Sequence, residues 1–216
     1  MDIEPFDKIA RMDSSLLCVN HLVRIYKAER DGEHGEVIEN DPFFYSSGSD
    51  KRLSSEKNDI KVGYWAERIE SCFLEVFLRR KNDEFMPKEE HHMSLKAQAQ
   101  YNITKIVLPD DAPLKLFFTT VEEQGICRSA IYSNGNEKDN FVKSVYEHPL
   151  GFDGIEYQSN HVSGDGYRCF AIFDRALKKL KTCEKKKMDL PLISCPKDIG
   201  QVCKAFPGVT FEIPSE

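Results

Sequence analysis

Between Asp59 and Phe77 the spacing of apolar side chains changes period. Ile60, Val62, Tyr64 and Ala66 alternate with Asp59, Lys61, Gly63 and Trp65, the two-residue repeat of a strand. Ile69, Cys72, Phe73, Val76 and Phe77 then recur at i, i+3, i+4, i+7 and i+8, one face of an amphipathic helix. A strand therefore runs through a very short turn into a helix. At about 100° per residue, Glu75 falls about 60° from Cys72, at the border of the apolar face, where an acid is half-buried. An i,i+4 pair with Arg79 explains such an acid without any function, and most helical glutamates are surface residues.

Elsewhere the pattern is mostly that of strands. Leu22 to Lys27 alternates, with Val23 and Ile25 on one face and Arg24 and Tyr26 on the other. Residues 31–58 are rich in Gly, Ser, Asp, Asn and Glu, and read as a long loop anchored by Val37-Ile38 and Phe43-Phe44-Tyr45. Loops of that length in a compact domain are more often functional than idle. Asn102–Leu108 and Leu114–Phe118 read as strands, and Lys138–His148 as a short helix with Phe141, Val142, Val145 and Tyr146 inward. Phe152 to His161 and Tyr167 to Asp174 read as two further strands. The second is apolar without alternation, as expected of a strand covered on both sides. Past a Lys-rich stretch come a short helix near Asp198–Ala205 and an alternating strand, Gly208–Ile213. No internal repeat interrupts the series, which predicts a single α/β or α+β domain.

Composition narrows the function classes. The chain is 40% apolar and 31% charged over 216 residues, ordinary for a soluble domain with a real core. Its net charge of −6 gives no global attraction to nucleic acid or to an anionic membrane. No run approaches the length of a membrane span, and Met1-Asp2-Ile3-Glu4-Pro5 lacks the basic flank and apolar core of a secretory signal. The seven cysteines are scattered and form no C-x-x-C, so a reducing, cytoplasmic location is expected.

Four stretches carry candidate chemistry. Ser46-Ser47-Gly48-Ser49-Asp50-Lys51-Arg52-Leu53 is a small-residue turn with a cation, suited to a phosphate but equally to a solvated loop. His91-His92 invites a metal, but neighbouring residues on a helix face apart and no ligand stands at helical spacing, so no metal site is expected. Ser159 and His161 are close in sequence, but no G-x-S-x-G elbow surrounds the serine. A strand-end hydroxyl offered to a ligand or to neighbouring backbone fits better than a nucleophile. Leu177 to Lys187 is a basic helix or tether, most simply a solvated face.

Taken in order, these pieces resemble the RES domain, a family named for its Arg, Glu and Ser and found in bacterial toxin–antitoxin pairs. Val23-Arg24-Ile25-Tyr26 looks like its early Arg-bearing strand, and Gly48-Ser49-Asp50-Lys51-Arg52-Leu53 like its Gly-Arg-aromatic turn, with Leu53 in place of the aromatic. Gly63-Tyr64-Trp65-Ala66 and Phe73-Leu74-Glu75-Val76 are similar to its Tyr-Leu-Ala strand and Glu-bearing helix. Asp153–Ser159 and Cys169–Phe173 look like its Ser-bearing strand and the strand that follows. The resemblance divides the chain into an N-terminal extension (1–21), a RES-like NAD-cleaving domain (22–174), and a Lys-rich helix with a C-terminal helix and strand packed on the same domain (175–216).

The resemblance implies an α+β fold like that of the ADP-ribosyltransferase toxins, a central split, mostly antiparallel sheet flanked by helices. It also implies a toxin that cleaves NAD at the nicotinamide–ribose bond, with NAD as substrate rather than cofactor. Glu75 would stabilise the oxocarbenium-like ribose. Arg24 and Arg52 would hold the pyrophosphate, Tyr64 would stack on nicotinamide or ribose, and Ser159 would hydrogen-bond the ring or position Glu75. Water, phosphate or a protein side chain would accept the ADP-ribosyl group, making the enzyme a glycohydrolase, an NAD phosphorylase or a transferase. The partner implied is a protein antitoxin covering the cleft, through which alone nucleic acid would be met. Two other readings stay open: a non-enzymatic module binding a nucleotide or partner through the same cleft, and a nucleic-acid binder using Lys178 to Lys187.

Overall fold

The computed structural model describes residues 21–31, 37–39, 41, 43, 53–55, 57–78, 91–94, 100–110, 113–118, 136–158, 167–183, 190–206 and 208–212. The chain enters on β1 (His21–Lys27), and a hairpin of β2 (Glu29–Asp31) and β3 (Val37–Glu39) follows it. The hairpin occupies part of what reads in sequence as loop. β4 (Val62–Ala66) runs after two intervening residues into α1 (Ile69–Phe73). The change of period at that point is therefore a real strand-to-helix transition.

The helix does not continue as expected. From Leu74 to Leu78 the backbone widens to a π-helical turn, with i→i+5 spacing. Side chains after Phe73 consequently leave the wheel of an α-helix. Val76, apolar and expected to face inward, is 37% exposed, whereas Phe77 stacks on Phe73 (4.7 Å) and on Tyr101 (4.8 Å).

The remaining elements in order are β5 (His91–Ser94), β6 (Tyr101–Val107), β7 (Leu116–Phe118), α2 (Asn136–Tyr146), β8 (Gly154–Gln158), β9 (Arg168–Phe173), a 3₁₀ turn into α3 (Leu177–Thr182), β10 (Leu190–Pro191), α4 (Pro196–Ala205) and β11 (Val209–Glu212). Seven strands form one sheet in the order β10-β6-β1-β4-β9-β8-β7, antiparallel throughout except between β7 and β8. β5, whose polar sequence gives no strand signal, pairs in parallel with β11 in a separate small sheet. The whole is a single α+β domain.

The core lies on both faces of the main sheet. One face carries Val23, Ile25, Val62, Ala66, Ile155, Tyr157, Cys169, Ala171 and Phe173, covered by α1, α2 and α4. The other carries Leu22, Trp65, Ile106, Phe170 and Ile172, covered by Phe43 and by Leu180 and Cys183 of the α3 region. The unbroken apolar run of β9 is thus buried on both sides, as its composition predicts. The Lys-rich helix is not wholly solvated: Leu180 is fully buried while Lys179 and Lys181 stay outside. Gly154 opens β8 where a Cβ would stand 2.5 Å from the carbonyl oxygen of Ala171, so only glycine allows this approach of β8 to β9.

Candidate active site at the strand seam

The sheet is unevenly bonded. β1 pairs with β6 along its whole length, from His21 with Val107 to Lys27 with Tyr101, and β4 pairs with β9 from Val62 to Ala66. Between β1 and β4 there is one pair, Val23 with Ala66. On one side of that pair β4 ends. On the other side both strands continue, residues 24–27 against 62–65, without a pair between them. Backbone pairing between the two halves of the sheet lapses there, a seam rather than a complete split.

α1 seals the point where pairing stops. Cys72 is buried, and its Sγ–H donates to the carbonyl oxygen of Val23 at 2.9 Å. Burial pushes its thiol up to about 12. Backbone hydrogen bonds from Ile25 and Ala66 and the charge of Arg24 work against that rise, and the charge of Glu75 adds to it. The sulfur therefore touches backbone of both strands and feels both the guanidinium from β1 and the carboxylate from the turn after α1. Glu75 itself, in the π-helical turn, is half-buried.

Tyr64 leaves β4 on the α1 face, half-buried, with its ring edge-on to that of Tyr157 at 6.4 Å. Its hydroxyl accepts the backbone N–H of Leu53 at 3.0 Å. Leu53 is fully buried, so the residue following Arg52 is fixed to Tyr64 both by packing and by this hydrogen bond. Trp65, next in the strand, points to the opposite face. There the Arg24 guanidinium lies over its ring, 5.6 Å from the centroid. Arg24 and Tyr64 thus flank the unpaired part of the seam from opposite faces of the sheet.

A second charged cluster holds the neighbouring strands in register. The Arg168 guanidinium donates to both oxygens of buried Glu156 (2.7 and 2.9 Å) and reaches Glu67, just past β4, at 3.4 Å. The Glu67 N–H also donates to the carbonyl of Arg168 at 3.2 Å. The start of β9, the middle of β8 and the residue just past β4 therefore meet at one guanidinium. Of the candidate residues, Arg24, Tyr64 and Glu75 lie around the seam, while Arg52 and Ser159, like His161, lie outside the described residues. The side chains of His91 and His92 are likewise undescribed. Among the described residues no group of three or more His, Cys, Asp or Glu is placed to hold a metal ion. Among them, too, no helix is long and apolar enough to cross a membrane.

The apolar pattern assigns Cys72 simply to the core and sets Trp65 on the face of β4 opposite Val62, Tyr64 and Ala66. Neither carries a sequence signal for its place beside the seam, because the seam that gives both their neighbours is a matter of strand pairing.

Comparison with known proteins bears on this arrangement. The model of the RES domain family matches residues 21–194. No curated protein matches the chain. Among solved structures, the chain is similar to one from the M. tuberculosis MbcT-MbcA toxin–antitoxin complex. The two share 13% identity over 82% of this chain and 87% of the other, with a TM-score of 0.46.

Proposed function

The chain belongs to the RES domain family, and on that premise we propose that it cleaves NAD at the nicotinamide–ribose bond. The observation that carries the reading is the convergence at the seam. A carboxylate from the α1 side, Glu75, and a guanidinium from β1, Arg24, both act on one buried thiol where pairing between the strands lapses. A dinucleotide lying along that seam would have its nicotinamide riboside near Tyr64 and Glu75 and its pyrophosphate near Arg24.

In this reaction the carbon–nitrogen bond breaks and its electron pair leaves with nicotinamide. The ribose carbon becomes cationic, and the Glu75 carboxylate offsets that charge while orienting the ribose hydroxyls. An acceptor oxygen then bonds to the carbon and loses its proton. Arg24 and Arg52 supply planar, forked donors suited to pyrophosphate, and Ser159, next in sequence after β8, supplies one hydrogen bond. The fixed link between Leu53 and Tyr64 supports the same reading, since it couples the residue after Arg52 in sequence to the ring proposed to stack on the substrate. A toxin acting in this way would deplete NAD, and a protein antitoxin seated over the seam would hold it in check.

Incubation of the purified protein with NAD, in the presence and absence of phosphate, tests the proposal. Free nicotinamide should appear, accompanied by ADP-ribose if water is the acceptor, by its phosphorylated form if phosphate is, and by modified protein if a side chain is. ADP-ribose binding without nicotinamide release would make this a binding module and overturn the enzymatic reading.

A further inference from the structure

Trp65 is 2% exposed, and its indole N–H is a buried donor with no hydrogen-bond partner. Buried donors are normally satisfied, so an orphan in a native fold calls for a reason. Among the described residues one other buried side-chain polar atom is in this condition, the Ser71 hydroxyl. The setting of Trp65 is different. It stands directly past the last ladder pair, across the seam from Arg24, whose guanidinium lies over its ring. The ring also packs against Phe43 (6.1 Å), and Lys181 lies 5.8 Å over Phe43, its charge partly met by Asp41 at 4.0 Å. The orphan donor thus belongs to an aromatic pair with a guanidinium over one ring and an ammonium over the other. An anionic oxygen is the acceptor such a place suits best.

We infer that the Trp65 indole N–H is a ligand contact, donating to a phosphate oxygen of the diphosphate held by the Arg24 guanidinium. The inference rests on the reading above that Arg24 takes the pyrophosphate. It adds a residue that the RES resemblance does not supply, since the corresponding strand of the family reads Tyr-Leu-Ala. In the free protein the N–H is left unpaired, and the ligand completes it.

Trp65 is the single tryptophan of the chain, so intrinsic tryptophan emission reports on this residue alone. Inorganic pyrophosphate and ADP-ribose should each change that emission saturably, and adenosine should not. Trp65→Phe keeps a ring beneath Arg24 but deletes the donor. By calorimetry it should bind ADP-ribose about tenfold or more weakly, the usual size of a lost hydrogen bond to a charged group. Its unfolding midpoint should change little, because removing an unsatisfied donor offsets part of the packing lost with the smaller ring. Unchanged emission on saturating ADP-ribose, or full affinity in Trp65→Phe, would overturn the inference while leaving NAD cleavage standing. Pyrophosphate-dependent emission with no release of nicotinamide from NAD would do the reverse, supporting the phosphate contact and removing the cleavage reaction.

Discussion

The Sγ of Cys72 lies 2.9 Å from the carbonyl oxygen of Val23, the β1 member of the one pair that joins β1 to β4. A helix side chain thus closes the ladder where backbone pairing stops. That relation fixes α1, and through it Glu75 three residues on, against the point at which pairing between the strands lapses. A buried thiol suits this position because it is small, apolar enough for the core and still a weak donor.

Glu75→Gln keeps the size of the side chain and removes the charge facing the developing ribose cation. Nicotinamide release should fall about a hundredfold or more, with the far-UV spectrum and unfolding midpoint unchanged. A folded Glu75→Gln protein with wild-type turnover would take Glu75 out of the reaction.

The Cys72 thiol also gives a pH signature. Its value in the folded chain is raised to about 12 from an ordinary value of 9.0, chiefly by burial. Below pH 9 both folded and unfolded forms hold the proton, and the group adds no pH dependence. Above pH 9 the unfolded chain loses the proton while the folded chain keeps it. Stability should therefore fall as pH rises from about 9 to about 12, at up to about 1.4 kcal/mol per pH unit. Cys183 and Cys195 are shifted in the same direction by burial, so the comparison is made against Cys72→Ser, which retains a donor for Val23. Urea midpoints of the two proteins should converge relative to one another as pH rises past 9; parallel curves would show that Cys72 ionises freely in the folded state.

How far the sequence discloses this arrangement depends on the range of the interactions. The strand-to-helix transition at β4 and α1 is legible because it is written in a change of local period. So is the division of β1 into a face with Val23 and Ile25 and a face with Arg24. The π-helical turn is not, because Leu74 to Leu78 would suit an α-helix equally well, and only the exposure of Val76 betrays the slip. β5 is hidden for another reason: its pairing with β11 is non-local, and its polar sequence carries no alternation of apolar residues. The seam is hidden most completely. Val23, Ala66 and Cys72 read as core and Trp65 as the opposite strand face, and nothing local in their sequence shows that a single ladder pair joins β1 to β4.

Arg24→Lys and Arg52→Lys keep the charge but lose the planar fork. If the pyrophosphate is held equally before and during reaction, KM for NAD should rise by more than kcat falls in both variants. For Arg24 the stacking over Trp65 also weakens, so tryptophan emission of the free protein should shift in Arg24→Lys and not in Arg52→Lys. Steady-state kinetics showing an unchanged KM in both would move the diphosphate away from these arginines.

An acid just before β8 adds a polar tie to α3. Asp153 is 4% exposed and accepts Lys179 Nζ with both oxygens, at 2.9 and 2.8 Å, and the backbone N–H of Lys115 at 2.9 Å. Asp153→Ala leaves that N–H unmet and releases Lys179, and should cost about 1–3 kcal/mol in urea unfolding. Lys179→Met should cost less, since this lysine is half-exposed and its pair is screened by water. Equal losses in the two variants would mean that the ion pair, rather than the contact with the Lys115 N–H, accounts for the contribution of Asp153.

The Arg168–Glu156 pair poses the opposite case, because Glu156 is nearly closed off from solvent and Arg168 largely so. Removing the guanidinium alone, as in Arg168→Met, strands a buried carboxylate and should cost about 3–5 kcal/mol. Replacing both, in Arg168→Met with Glu156→Met, removes the charge as well as its partner and should recover much of that loss. The same guanidinium also holds Glu67 past β4 and sits beside the end of β8, from which the chain leads on to Ser159. In the double variant the fold would survive while the three segments lose their common clamp. NAD cleavage should then remain depressed although stability has returned, a separation that thermal unfolding and nicotinamide release measured on the same preparations would reveal. Recovery of both together would mean that the cluster holds the fold and nothing more.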